Sequence, residues 1–144
     1  MGALGGKGSP IGGGRVLNSD TVLLRQIHPL FVQQGRVTSQ AFRPTPKDEH
    51  KLSVYDGDMI SAGRSFHHYT TTLCFASAGV MGVSVGECND LALAVSPDPL
   101  PFPEHVVIDY SAFEKNVVEK KAKLLKARAE TRGWLFLDAS TSSC

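Results

Sequence analysis

Three cysteines are few for a chain of 144 residues, and Cys74, Cys88 and Cys144 form no CxxC pair. An odd number without paired spacing excludes a self-contained disulfide framework and a cysteine zinc site, so a reducing, cytoplasmic setting is expected. Long apolar runs are also lacking. None approaches the roughly 18 residues that a membrane-spanning helix needs, and the glycine-rich start has no apolar core of a secretion signal, so no membrane partner is expected and the mature chain is expected to begin near residue 1. Charge of one sign is missing too. Fifteen basic against fourteen acidic residues leave a net charge of +1, and no global field draws nucleic acid or a lipid surface. Gly6-Lys7 lacks the spaced glycine, the following Ser or Thr and the strand of a phosphate-binding loop. Gly6 also stands where N-myristoylation expects Ser or Thr. No cofactor and no metal are expected.

What is present is the balance of a folded soluble domain, 42% hydrophobic and 20% charged. At this length one core suffices, and folding hides roughly 70% of the surface of the unfolded chain. Residues 1–20 hold seven of the fourteen glycines and read as a flexible arm, because few side chains there repay the cost of ordering the backbone. Residues 21–138 read as a single domain and 139–144 as a polar tail.

The pattern of elements predicts the class. Residues 21–27 are β-branched and apolar enough for a first strand, which Pro29 ends. Residues 30–34 suit one helical turn, and 36–42 alternate in the manner of a second strand. RPTPKDEHK is a surface loop by composition, followed by a short strand at 52–55. Asp58 suits the cap of a helix over 59–73, and AGVMGVSV at 78–85 an interior strand. A short helical piece at 87–91 and a strand at 92–95 precede alternating prolines at 97, 99, 101 and 103, which make a stiff connector. Residues 105–109 form a compact β-branched strand. Ser111 and Glu114 then fit an S-x-x-E capping box opening a helix that buries Val118, Ala122, Leu125 and Ala129 and stops at Gly133, before a last strand at 134–137. This order predicts an α+β fold: a largely antiparallel or mixed sheet with two main helices packed on it.

The densest collection of reactive groups lies between Leu23 and Asp58. Arg25, His28, Arg36, Ser39 and Arg43 come from two successive expected strands and their turn, and pairing those strands would build a cationic pocket. Clustered arginines suit bidentate recognition of phosphate or carboxylate, and a histidine can move protons near neutral pH. The structural alternative is that the arginines pair with Asp48, Glu49 and Asp56 while His28 merely leads into Pro29. His67 and His68 diverge by about 100° on a helix and cannot easily share one metal. His105, in PEH, is a possible acid or base with Glu104, although adjacent strand residues face opposite ways. The last helix carries seven basic against three acidic residues. It lacks aromatic interleaving for nucleic-acid stacking, and a solvated face is the expectation.

Two resemblances bear on function. Arg25 on an early strand, Ser39 on the next and a later Glu104 resemble the layout of ADP-ribosyltransferase-like enzymes, without that family's E-x-E or S-T-S signatures. The tract PLFVQQGRVTSQAFRPTPKDEHKLSVYDGD resembles small bacterial proteins carried in mobile gene cassettes, over about Val22 to Leu137. That likeness implies a bacterial cytosolic origin and no activity. The first functional expectation is therefore a binding or accessory protein whose face formed by Arg25, His28, Arg36, Ser39 and Arg43 receives a phosphate-bearing small molecule, RNA or an acidic partner. The second is a small nucleotide- or RNA-directed enzyme, toxin-like, with Arg25 binding, His28 or His105 moving protons and Ser39 positioning substrate. A homodimer through edge strands is compatible with either.

Overall fold

In a computed structural model that describes residues 17–138, Val22–Ile27 (β1) forms the expected first strand. It lies inside a six-stranded sheet with Lys51–Asp56 (β4), Gly79–Ser84 (β5), Ala94–Pro97 (β6), His105–Asp109 (β7) and Phe136–Leu137 (β8). Across the sheet the order is β6-β7-β4-β1-β5-β8, every neighbouring pair is antiparallel, and the described residues make one compact α+β body. A two-residue ribbon, Val32–Gln33 (β2) with Arg36–Val37 (β3), stands apart from it. Pro97 is accommodated because β6 is an edge, where a missing amide breaks no ladder.

Both faces of the sheet are covered. Alternation along β1 sends Leu23 and Ile27 to one face and Leu24 and Gln26 to the other. On the first face lies the larger core, where Ala122, Leu125 and Ala129 of Lys115–Arg132 (α3) are fully buried and Val118 packs beside them. Gly133, at φ 86°, ends this helix as expected. Val85–Asp90 (α2) and a 3-10 turn at Ser39–Phe42 complete that layer. On the second face Ala62–His67 (α1), prolonged by a π-helical turn at His68–Thr72, packs its Phe66 in a cluster with Leu24, Tyr55 and Val80. Gln26, Ser65 and Ser77 share a buried hydrogen-bonded chain beneath it, at 2.9 and 3.0 Å.

Several local expectations need correction. Only Arg36–Val37 of the expected second strand pairs; Ser39–Phe42 curls into a 3-10 turn because Ala41 and Phe42 must both enter the core, which an alternating strand forbids. The helix expected over 59–73 starts after Ser61, whose side chain caps Arg64 N, while Asp58 accepts from Thr21 Oγ1 at 2.7 Å. Ser111 and Glu114 form no capping box. Glu114 is the cap residue with no side-chain bond, and Ser111 N is held by Asp109 Oδ1. The capping box that does form is Ser84 with Glu87, at the start of α2. Residues 17–20 of the expected arm belong to the fold, for Leu17 packs on the core and Ser19 O accepts from Gly86 N. The remainder of the arm and the polar tail lie outside the described residues. No helix among the described residues is long and apolar enough to cross a membrane.

A cationic cleft where two central strands part

The sheet carries one irregularity at its centre. β1 pairs with β5 along its whole length, but with β4 only at Leu23–Asp56 and Leu24–Tyr55. Beyond those pairs the two strands separate, and Arg25 spans the opening. Its Nε donates to Ala41 O at 2.7 Å and its Nη1 to Ser53 O at 3.0 Å. A guanidinium carries five N–H donors, these two bonds use two of them, and Arg25 lines a cavity. Burial lowers its pKa from the ordinary value, against the opposing influence of Tyr69, Tyr110 and Asp48. The group nonetheless stays charged, because arginine starts far above neutrality.

The opening continues into a cleft of about 610 Å³ whose walls come from both sides of the gap. Tyr55, Tyr69, Phe75 and Phe102 supply an aromatic side, with Tyr55 and Phe102 stacked at 4.9 Å between ring centroids. Arg25, Arg43, Lys47 and Lys51 supply four cations against the single carboxylate of Asp48. Two of these are tempered by partners: Arg43 meets Glu119 at 3.0 Å, and Lys51 meets Glu49 at 3.7 Å. Tyr55 Oη lies 2.7 Å from His68 Nδ1. Burial raises the Tyr55 phenol, with Tyr69 and Glu104 adding to the effect, so its proton stays in place at neutral pH. A second cavity, about 640 Å³, shares Phe31, Arg43, Pro44 and Thr45 with the first. The first is the stronger candidate because it holds the half-buried charge of Arg25 and the convergent polar groups.

Of the residues singled out in sequence, Arg25 and Arg43 line this cleft together. The other three do not join them. His28 is absorbed locally, its Nδ1 accepting from Leu30 N at 3.0 Å to cap the 3-10 turn Pro29–Phe31. Arg36 reaches across to α3 and grips Glu130 at 2.9 to 3.3 Å. Ser39 lines a separate, shallow cavity with Arg36 and Lys126, so Arg25 and Ser39 are not brought together in the manner of an ADP-ribosyltransferase site. The single expected pocket fails because the strand that was to carry Ser39 beside Arg25 is a 3-10 turn packed under α3.

His105 belongs to the site. Its register partner in β4 is Tyr55, and its ring packs on Phe102 at 5.1 Å. Nε2 lies 3.0 Å from Ser53 Oγ, and Nδ1 lies 2.9 Å from Asp98 O. Glu104, its expected partner, contributes instead a backbone carbonyl to Asp56 N. Ser53, Tyr55, Tyr69 and Phe102 were not singled out in sequence. The available signal was the alternation in Lys51, Ser53 and Tyr55, which places these three on one face of a strand. His67 is exposed and His68 half-buried, and no group of three metal-ligating side chains exists among the described residues. Comparisons of the chain with family models, curated proteins and solved structures find no match.

Proposed function

We propose that this protein binds a small phosphate- or carboxylate-bearing molecule with a planar body, of which a nucleotide is the natural example, in the cleft between β1 and β4. The observation that carries this reading is Arg25: a half-buried guanidinium, held by two backbone carbonyls, lining a cleft that the stacked rings of Tyr55 and Phe102 also line. Pre-positioning removes most of the ordering cost of binding, and a planar fork matches the two oxygens of a phosphate or carboxylate. The aromatic wall receives the ring, and Lys47 and Lys51 at the mouth add attraction without fixed geometry.

Calorimetric titration with phenyl phosphate, adenosine monophosphate and a 5′-phosphorylated short RNA tests the reading at two salt concentrations. Saturable binding of phenyl phosphate or the nucleotide is expected, weakened at least about tenfold by Arg25→Met, the equivalent of about 1.4 kcal/mol. Equal affinity in the Arg25 variant, or no binding of any probe, overturns it. Binding of the RNA alone, with a steep salt dependence, instead favours a polymer partner.

A further inference from the structure

We propose that Ser53, His105 and Asp98 form a nucleophilic triad and that Ser53 attacks carbonyl esters at the mouth of the cleft. The three groups come from separate segments. Ser53 is on β4, His105 opens β7, and Asp98 follows β6. Antiparallel pairing of β4 with β7 sets Tyr55 opposite His105, so Ser53, two residues back on the same face, lies diagonally across from the imidazole.

Hydrogen bonding fixes the tautomer. A backbone carbonyl only accepts, so the contact of His105 Nδ1 with Asp98 O at 2.9 Å places the proton on Nδ1. In the neutral ring Nε2 is then an acceptor, and the 3.0 Å contact to Ser53 Oγ is the hydroxyl donating to it. That is the arrangement in which an imidazole takes a proton from an attacking serine. The Asp98 carboxylate lies 3.4 Å from Nδ1, close enough to stabilise the imidazolium as it forms. His105 is 7% exposed, which holds the ring in one orientation, while Ser53 is exposed to an approaching substrate.

Stabilisation of the oxyanion has two sources. Hydrogen bonds from Tyr110 N to His50 O and from Asp56 N to Glu104 O set the phase of the β4–β7 ladder. In that phase alternate residues face away from β7, so the Ser53 amide points to the side where pairing with β1 has ended. Lys51, its ammonium 3.7 Å from Glu49, lines with Glu49, Ser53, His105 and Asp98 a cavity of about 250 Å³. An amide and a nearby ammonium are the donors that a tetrahedral oxyanion requires.

The reaction balances without a further reagent. Ser53 Oγ forms a bond to the ester carbonyl carbon as its proton passes to His105 Nε2. Collapse of the oxyanion breaks the ester C–O bond, and the leaving alcohol takes that proton. Water then attacks the acyl-serine, giving its proton to Nε2 and returning Ser53 with release of the carboxylic acid. The net change is ester plus water to acid plus alcohol. The preferred substrate, an ester with a negatively charged group, rests on the cleft reading above; the reactivity of Ser53 does not.

An alkyl fluorophosphonate, which loses fluoride to an activated serine, tests the triad in the full-length protein. Intact-mass and peptide analysis are expected to show one adduct, on Ser53, absent from Ser53→Ala. Asp98→Asn, a positioning change, should lower kcat for p-nitrophenyl acetate while leaving KM within about twofold. No adduct, or an adduct that persists in Ser53→Ala, overturns the proposal; circular dichroism checks that each variant is folded. Wild-type protein should also hydrolyse p-nitrophenyl hemisuccinate faster than the neutral acetate. Labelled Ser53 with no such preference supports the triad and counts against an anion-binding cleft, whereas phosphate binding without labelling supports the cleft and overturns the triad.

Discussion

Arg25 occupies the position where the sheet would otherwise have to close or leave carbonyls bare. Its two bonds, to Ala41 O and Ser53 O, make it structural as well as ligand-facing. Arg25→Ala should therefore destabilise the fold by about 1–3 kcal/mol in urea denaturation, the cost of leaving such acceptors unpaired. Arg25→Lys should recover part of that stability and little ligand affinity, because an ammonium lacks the planar fork. Gly57 is a second position with no latitude. A Cβ there would stand 2.3 Å from Val22 O, so Gly57→Ala should cost about 1–3 kcal/mol through backbone displacement. The cysteines differ in the opposite way from what their neighbours in sequence suggest, Leu73 and Phe75 for Cys74 but Glu87 and Asn89 for Cys88. Burial, with Glu87 adding to it, pushes the Cys88 thiol up to about 12, while Cys74 is exposed. In native protein a thiol reagent should modify Cys74 readily and Cys88 only after denaturation; equal rates at both would contradict the buried placement.

Among elements, α2 and α3 are tied together by a charged contact whose pH dependence can be read. Arg132 donates to Glu87 at 3.0 Å, and Glu87 also accepts from Ser84 N to close the capping box. Burial pushes the Glu87 carboxyl up, but the Arg132 hydrogen bond, the Ser84 amide and the charges of Arg132 and Arg128 outweigh it and hold the group below its ordinary value of 4.5. A carboxylate whose folded pKa is depressed stabilises the fold above its unfolded pKa, and that stability is lost as pH falls through the folded value. Glu87→Gln should thus lower stability at pH 7 and flatten its decline below about pH 4.5; an unchanged acid limb in denaturation curves would sink this. On α3, Leu125→Ala should cost about 2–5 kcal/mol, since Leu125 is fully buried in the main core.

The elements also show which parts of the fold were legible. β1, β5 and β7 stand out because their apolar, β-branched runs match what a strand covered on both faces requires. α3 is legible from its four-three-four apolar spacing, but not its cap, since two S-x-x-E patterns exist and only the one at Ser84 stands at a helix start and closes, while the helix after Ser111 begins past Glu114. The 3-10 turn at Ser39–Phe42 was hidden because four residues carry too little periodicity to separate it from a strand. Half of the cleft was legible as basic residues near one another in the chain, Arg25 and Arg43. The aromatic half and the Ser53–His105 contact depend on the β4–β7 register, which no local pattern encodes.

At the scale of the whole molecule, near-neutral charge conceals an uneven distribution. The net charge of +1 coexists with a cleft mouth carrying Arg43, Lys47 and Lys51, and with a basic α3 whose Glu130 and Glu119 pair with Arg36 and Arg43 and whose Arg132 pairs with Glu87. Exposed pairs of this kind contribute little to stability, so Arg36→Ala should change it by less than about 1 kcal/mol. The cleft is where basic charge, aromatic surface and a half-buried guanidinium coincide. Anion binding in this cleft is tested by amide chemical-shift mapping of ¹⁵N-labelled protein titrated with phenyl phosphate. Saturable shifts concentrated at Arg25, Lys51, Ser53, Tyr55 and Phe102, abolished by Arg25→Met, are expected. Shifts confined to the outer face of α3, or unaltered by that substitution, would contradict it.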